Sequence, residues 1–410
     1  MPTQHYNRKK ENNQYAWPAC VGDFSLLKEY LAKKNTPSWV VLQLLDALLR
    51  GFGQVVFANN PISGFLIASA LASSVPAAFA LCLSTAILGL LLSVLMKDSE
   101  EHVANGLTVY NPLLIGVVSY ALVPKFYGAF DSFSFLLILL GTILSVYLMR
   151  SLETDKFPCT TWPFNLTEFA LLFALATQNN LADGTELLPK IFTMENATIQ
   201  DAANASVLSM HNSTVARIDW GMIFRGIVVS ASQVYAVDNV ATASIVYLAI
   251  LIYSPATAGF SFLGSLIGAF AGLELGVANE EIYSGLWGFN SLLTGAALGG
   301  NLIVLNFQTA AATLVAIVYT TIVQYAIHYL FVKINLPILT LPFVIVVSLF
   351  AKLRESTDGS TFPRPVSHSF PEKQRYEYYT RNHCTRYEEE PESETQKCLE
   401  EKVSQVEISC

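Results

Sequence analysis

Residues 50–64 read RGFGQVVFANNPISG, and residues 229–243 read VSASQVYAVDNVATA. Each stretch contains the pair Gln-Val, and an asparagine follows the glutamine by six positions in both. The two glutamines, Gln54 and Gln233, are 179 positions apart. A polar phrase that occurs twice inside apolar sequence indicates an internal repeat.

Two further pairs of phrases share this spacing. GLTVYNPLLIG at 106–116 matches GLWGFNSLLTG at 285–295, and FPCTTWPF at 157–164 matches LPILTLPF at 336–343. Both pairs are also offset by 179 positions. Three separate phrases in one register predict that the chain is built from two copies of one unit.

The composition is that of a membrane protein. Of the 410 residues, 52% are hydrophobic and only 14% are charged, whereas soluble domains carry about 25% charged residues. The apolar region runs from about residue 39 to 350, which is far too long for one span. We therefore expect an all-α polytopic membrane protein.

The apolar region divides into segments, several of them shorter than the ~20 residues that a full helical span needs. They lie at roughly 37–50, 62–73, 75–97, 106–123, 132–150, 163–178, 221–237, 243–254, 256–278, 285–303, 309–332 and 338–351. Short segments interrupted by Gly and Pro at matching places in two halves are typical of broken helices around a substrate site.

The topology follows from the ends and the longest loop. The first 35 residues are polar and basic, with no apolar core of a signal peptide, which favours a cytoplasmic N-terminus. Three glycosylation sequons, at Asn196, Asn204 and Asn212, indicate an extracellular central loop. A fourth, at Asn165, opens an apolar segment and is discounted. The first half then crosses an odd number of times, and the second half is inverted relative to it.

The formal net charge of −8 belongs mostly to the Glu-rich C-terminal tail, which we expect to be cytoplasmic and disordered. The predicted organisation is an N-terminal segment at 1–36, a first membrane repeat at 37–178, the extracellular loop at 179–218, a second repeat at 219–351 and the tail at 352–410.

The repeated residues include polar side chains and prolines. They are Gln54/Gln233, Asn60/Asn239, Asn111/Asn290, Thr161/Thr340, Pro158/Pro337 and Pro163/Pro342, with the aromatic pair Tyr110/Phe289. Polar groups in hydrocarbon are costly unless protein or water satisfies them, so a lined pore is one explanation. Asn60 and Asn239 can instead cap broken helices, and the prolines can end them.

At these residues the chain resembles the urea transporter family over about 38–350. The LPxxTxPF phrase, the GQVVFANNPISG segment and the GLxxYN phrase carry the resemblance. It implies two inverted repeats, each with about five transmembrane helices plus a half-membrane pore helix. It also implies a homotrimer in the plasma membrane, in which each subunit passes urea passively through its own pore.

The resemblance also implies the pore residues: Gln54, Phe57, Tyr110, Leu114, Thr161, Gln233, Val234, Phe289, Leu293 and Thr340. Urea is planar, neutral and rich in N–H donors, so Gln and Thr oxygens and flat apolar walls suit it. Val240, Ala243 and Phe157 depart from the family pattern and leave the range of solutes open.

Other functions remain as alternatives. An ion-coupled transporter would use acids within the membrane, for which Asp238, Glu168 and Glu274 are candidates. A water or glycerol channel is disfavoured because both Asn-Pro pairs fall in the first half, and a scaffold acting through its tail is a further alternative. The sequence contains no CxxC pair and no enzyme motif, so we expect no metal, cofactor, nucleic-acid partner or catalytic activity.

Overall fold

The computed structural model describes residues 18, 20–34, 36–154, 157–182, 218–334, 336–356, 361–365, 367 and 369–388. Within these residues the chain forms helices and no strand longer than a single bridge. This confirms the all-α prediction. The three expected glycosylation sites lie outside the described residues.

The helices of the first half are α1 Ser25–Ala32, α2 Pro37–Gln54, α3 Pro61–Ser74, α4 Pro76–Leu95, α5 Glu100–Ala104, α6 Tyr110–Phe126, α7 Ser132–Leu152 and α8 Trp162–Ala182. Those of the second half and the tail are α9 Trp220–Gln233, α10 Val240–Tyr253, α11 Pro255–Glu274, α12 Asn279–Tyr283, α13 Phe289–Ala296, α14 Phe307–Phe331, α15 Leu341–Ala351, α16 Leu353–Ser356 and α17 Pro371–Glu388. A π-helical turn, Ala297–Asn301, continues α13.

The sequence repeat is also a repeat of helices. Helices α3, α4 and α5 begin and end 179 positions before α10, α11 and α12 respectively. The same offset separates the starts of α6 and α13 and those of α8 and α15. The two halves therefore share one order of elements, with matching ends around each break.

Capping explains where the breaks fall. The Asn60 side chain caps α3 by accepting hydrogen bonds from the backbone of Ile62 and Ser63, and Asn239 caps α10 by accepting one from Thr242. An asparagine at this position satisfies amides that the first helical turn leaves without a partner. The capping alternative is thus the one that the structure shows for both asparagines.

Four helical segments in the described part of the chain are long and apolar enough to cross a membrane. They are Pro76–Leu95, Ser132–Leu152, Pro255–Glu274 and Phe307–Ile334. Helices α3 and α10 are also apolar but are only 14 residues long. The membrane class is confirmed, while five spans and a half-membrane helix in each repeat stay a prediction.

The two halves share one hydrophobic core. Direct hydrogen bonds also join them, because the Tyr235 hydroxyl donates to the Phe52 carbonyl at 2.7 Å and the Ser63 hydroxyl donates to the Ala249 carbonyl at 2.6 Å.

Backbones approach closely at Gly64, where an added Cβ would lie 1.7 Å from the Leu49 carbonyl oxygen. Small residues at such contacts are typical of packed membrane helices.

The beginning of the tail differs from the predicted disorder. Phe370 is only 3% exposed and packs on Gly22 and on the ring of Tyr253, at a centroid distance of 6.5 Å. The Ser369 hydroxyl donates to Asp23, and the carboxylate of Glu372 accepts from the Ser254 hydroxyl and the Ala256 amide at the start of α11. The average composition of the tail does not predict this ordered segment, because a few side chains attach it to the helices, among them the ring of Phe370 and the carboxylate of Glu372.

The anchor can be tested by truncation of its side chain. We expect Phe370→Ala to release the segment and to accelerate tryptic cleavage after Lys373 and Arg375, because loss of a buried Phe costs about 3–5 kcal/mol. Tyr376→Ala is the control, since Tyr376 is 51% exposed. Equal cleavage rates in both variants and the wild type would show that Phe370 does not hold the segment.

Candidate functional site

Two cavities lie in the membrane region, one of about 500 Å³ and one of about 360 Å³. We call them the first and the second cavity. Their walls contain residues from equivalent positions of the two halves. The pairs, first cavity before second, are Gln54/Gln233, Val55/Val234, Phe57/Ala236, Tyr110/Phe289, Pro158/Pro337, Cys159/Ile338, Thr160/Leu339 and Thr161/Thr340.

The two cavities meet at a pair of threonines. Thr161 lines the first cavity and Thr340 lines the second, and their hydroxyl oxygens are 2.7 Å apart. Each residue is only about 5% exposed, at 5% and 4%. Phe164 and Phe343 also occupy equivalent positions, but each lines the cavity formed mainly by the other half. Phe343 lines the first cavity and Phe164 lines the second. One hydrogen-bonded pair therefore separates two equivalent chambers.

The chain is not helical where it reaches this pair. Thr160 and Leu339 take left-handed φ angles of 44° and 53°, which is uncommon for residues other than glycine. The Asn111 amide donates to the Thr160 carbonyl at 3.1 Å, and the Asn290 amide donates to the Leu339 carbonyl at 3.2 Å. These bonds satisfy backbone groups that lipid cannot, so the two asparagines hold the strained turns in place.

A tyrosine adds a bond in the first half only. The Tyr110 hydroxyl donates to the same Thr160 carbonyl at 2.7 Å. Phe289 stands at the equivalent position and has no hydroxyl. The turn before Thr161 thus carries one more hydrogen bond than the turn before Thr340.

Each glutamine is fixed by a backbone carbonyl. The Gln54 amide nitrogen donates to the Asn105 carbonyl at 2.9 Å, and the Gln233 amide nitrogen donates to the Ser284 carbonyl at 2.7 Å. Asn105 and Ser284 occupy equivalent positions. Because the nitrogen is engaged, the side chain offers its carbonyl oxygen as an acceptor to the cavity.

Eight of the ten predicted pore residues line the cavities: Gln54, Phe57, Tyr110 and Thr161 the first, and Gln233, Val234, Phe289 and Thr340 the second. For the other two, a role in the pore stays a prediction. Leu114 and Leu293 are each only 1% exposed and belong to the core rather than to either wall. The Phe57 ring contacts the Phe343 ring edge-on at 6.0 Å.

Charged groups at the first mouth were missed by the sequence analysis. His102 and Glu153 line the first cavity, and burial raises the pKa of the Glu153 carboxyl, which the neighbouring His102 opposes. Lys28 donates to the Asn105 side chain at 2.9 Å, and burial, followed by the nearby charge of Arg50, lowers its pKa.

The second mouth carries a related arrangement. Glu281 lies 3.9 Å from His328 and accepts a hydrogen bond from the indole of Trp287 at 2.8 Å. Glu281 is the equivalent of His102, so an imidazole and a carboxylate stand near each mouth although the residues themselves differ. The 179-position offset between His102 and Glu281 is the sequence feature that could have identified these two residues.

The acids considered for ion coupling line neither cavity. Asp238 is paired with Arg225 at 2.5 Å, and Glu168 accepts from the Ser119 hydroxyl at 3.1 Å. Glu274 is exposed at the end of α11. Two of these acids thus have a structural partner, and the third lies at a helix end.

The fold and the cavities together define a membrane transport protein. A protein-family model described as urea transporter matches residues 45–355. Urea transporter 1 of Rattus norvegicus is 31% identical over 340 residues, which cover 81% of this chain and 82% of the relative. Urea transporter 1 of Mus musculus is 32% identical over 340 residues with the same coverage, and that of Capra hircus is 30% identical over 366 residues, 87% of this chain and 88% of the relative.

The chain belongs to the urea transporter family. This confirms the resemblance seen in the sequence. It also identifies the chain as a transporter and not an enzyme.

The anchored glutamines make a prediction about pH. Gln54→Glu keeps the shape of the side chain, but an ionised carboxylate cannot donate to the Asn105 carbonyl and repels it, whereas a protonated carboxyl can donate. The variant should therefore approach wild-type stability at pH 4, below the ordinary Glu pKa of about 4.3, and lose about 1–3 kcal/mol as the pH rises to 8. Thermal unfolding in detergent at both pH values measures this.

Gln54→Met is the matched control, because its loss of stability should not depend on pH. The same pattern is expected for Gln233→Glu against Gln233→Met at the Ser284 carbonyl. A Gln54→Glu variant that is equally stable at pH 4 and pH 8 would contradict the anchored arrangement.

Proposed function

We propose that this protein passes urea across the plasma membrane by passive, channel-like flux. The solute enters one cavity, passes the Thr161–Thr340 pair and leaves through the other. The observation that carries the proposal is that pair, which joins two chambers with equivalent walls at a hydrogen-bond distance of 2.7 Å. The family to which the chain belongs supports urea as the solute.

The walls suit the chemistry of urea. Its four N–H groups need acceptors, which the oxygens of Gln54 and Gln233 supply, and the two threonine hydroxyls can both accept from these groups and donate to the urea oxygen. Its two flat faces need apolar walls, and Phe57, Tyr110 and Phe289 provide them. A solute that exchanges its hydrogen bonds with water for these oxygens passes without a large desolvation cost.

The constriction is neutral. Thr161, Thr340, Phe164 and Phe343 carry no charge, and the charged groups named above lie at the mouths. An ion at the threonine pair would lose its hydration without meeting a counter-charge, which is costly in a low dielectric. The proposal is therefore flux of a neutral solute that requires no coupling to an ion.

The wider organisation is part of the same proposal. The two repeats are inverted, with five transmembrane helices and a half-membrane helix each, and three subunits form a homotrimer. The first cavity opens to the cytoplasm and the second to the outside. Arg364, Ser367 and Ser369 line the first cavity together with Gln54, which supports placing the tail at the cytoplasmic mouth.

The experiment measures urea efflux from proteoliposomes by light scattering. Thr161→Val and Thr340→Val keep the shape of the side chain and remove the hydroxyl. We expect each to lower urea permeability by about tenfold, because an unpaired polar group of the solute costs about 1–3 kcal/mol. Imposed proton and sodium gradients should change nothing.

Thr142→Val is the matched control. Thr142 is also buried, but its hydroxyl donates to the Ile138 carbonyl within its own helix. Its permeability should equal that of the wild type. Absence of urea flux in folded wild-type protein, or flux driven by an ion gradient, would overturn the proposal.

A further inference from the structure

The two halves differ at one residue that donates a hydrogen bond to the threonine pair. Asn165 lies in the first turn of α8, four positions after Thr161. The equivalent residue after Thr340 is Val344, which is fully buried. A polar side chain therefore stands beside the constriction in one half, and an apolar side chain of branched shape stands there in the other.

The Asn165 amide contacts both halves of the molecule. Its nitrogen donates to the Thr161 carbonyl at 2.8 Å and to the Thr340 hydroxyl oxygen at 2.8 Å. The Thr161 hydroxyl oxygen lies further away, at 3.4 Å. Asn165 is thus the side chain that ties the start of α8 to the hydroxyl supplied by the second half.

The orientation of this amide is determined by its surroundings. A backbone carbonyl accepts hydrogen bonds and never donates, so the amide nitrogen and not the amide oxygen must face Thr161. The Asn165 oxygen is buried and has no hydrogen-bond partner among the residues that the structure describes. The side chain therefore acts here as a double donor.

This donation changes what the threonine pair offers to a solute. Two hydroxyls contain two hydrogens, and one of these is used in the bond between Thr161 and Thr340. If Thr340 donates in that bond, the free hydrogen belongs to Thr161; if Thr161 donates, the free hydrogen belongs to Thr340. In both cases one O–H remains for the solute.

The amide of Asn165 makes that remaining O–H a stronger hydrogen-bond donor. It also takes up one acceptor site, on the Thr340 hydroxyl oxygen. It occupies one lone pair of Thr340, which reduces the lone pairs that the two hydroxyls leave free from three to two. A hydroxyl that accepts a hydrogen bond becomes a better donor, and the effect passes along a chain of such bonds. The pair is consequently a stronger donor and a poorer acceptor than two isolated threonines would be.

We propose that Asn165 is a positioning residue that sets solute specificity by making the threonine pair a donor for a carbonyl oxygen. The pair then selects solutes with a strongly accepting oxygen over solutes of the same shape with a weak acceptor. This inference rests on the proposed urea pore. It adds a role for a residue outside the repeated set, which acts through Thr340 and not by direct contact with the solute.

Thiourea provides the comparison. It has the shape and the N–H groups of urea, but its sulfur accepts hydrogen bonds weakly. We expect Asn165→Val to lower the ratio of urea to thiourea permeability by about 1.5- to threefold, because the bond from the pair to the solute remains and only loses its polarisation, about 10–30% of its strength. Both permeabilities are measured by light scattering on the same proteoliposomes.

The repeat supplies the matched controls. Val344→Asn in the wild-type background leaves the Asn165 donor in place, so the ratio should not fall. The double variant Asn165→Val/Val344→Asn moves the amide to the other side of the pair, and we expect it to recover most of the lost ratio by donating to the Thr161 hydroxyl. Recovery from the opposite half is a result that a purely structural role of Asn165 does not produce.

A second variant keeps the test valid if Asn165→Val fails to fold. Asn165→Asp has nearly the same shape, but its carboxylate accepts the hydroxyl hydrogen that the pair would otherwise offer. The ratio of urea to thiourea permeability should therefore fall at least as far as in Asn165→Val. Thermal unfolding and size-exclusion profiles in detergent show which variants are folded.

The outcomes separate this inference from the proposed function. A wild-type protein that passes no urea overturns the pore itself. A wild-type protein that passes urea, with an Asn165→Val variant that lowers urea and thiourea permeability by the same factor, overturns the specificity role of Asn165 and leaves the pore intact. A lowered ratio that the double variant restores supports the inference.

Discussion

The structure depends on the hydrogen bonding of non-helical backbone at membrane depth. Lipid satisfies no amide or carbonyl, so a chain that leaves the helix inside a membrane needs side chains to replace the missing bonds. Asn111 and Asn290 supply them to the carbonyls of Thr160 and Leu339. With those turns held, Thr161 and Thr340 reach one another from opposite halves of the chain. The threonine pair can form because the asparagine side chains satisfy the carbonyls of its two non-helical turns in an apolar environment.

The two halves correspond in position along the cavity walls, but the residue types match at only some of these positions. Gln54 and Gln233 are fixed by equivalent carbonyls, and the cavity walls correspond position by position. Other pairs differ, both on the walls, where Phe57 is matched by Ala236, and behind them, where Asn165 is matched by Val344. A duplicated unit that lines a shared path keeps its order of elements and the residues at the constriction, while other positions change separately in each copy. The asymmetry at the constriction is therefore an addition to the repeat and not a failure of it.

One offset of 179 positions predicted the repeat, the composition predicted the helical membrane class, and the family resemblance supplied ten pore residues, eight of which line the cavities. The remaining features depend on contacts between distant segments, which no local pattern shows. Leu114 and Leu293 share the repeat, yet their positions relative to the cavities depend on helix rotation. Phe370 sits in a tail of polar composition, and its burial requires the pocket formed at Gly22. A residue such as Asn165, which has no repeat mate of its own kind, gives no signal to a search for repeated residues.

The distribution of charge follows from the same physics as the turns. A carboxylate or an imidazolium is costly at membrane depth unless it is paired, so charge is tolerated near water and excluded from the centre. His102 and Glu153 line the first cavity, and Glu281 and His328 line the second, while the threonine pair between them is neutral. Arg364 also lines the first cavity, so ionisable side chains flank the path on both sides while its constriction carries none. A path of this kind discriminates by hydrogen bonding at its centre, and for that reason the direction of a single bond at Thr340 is able to influence which solutes pass.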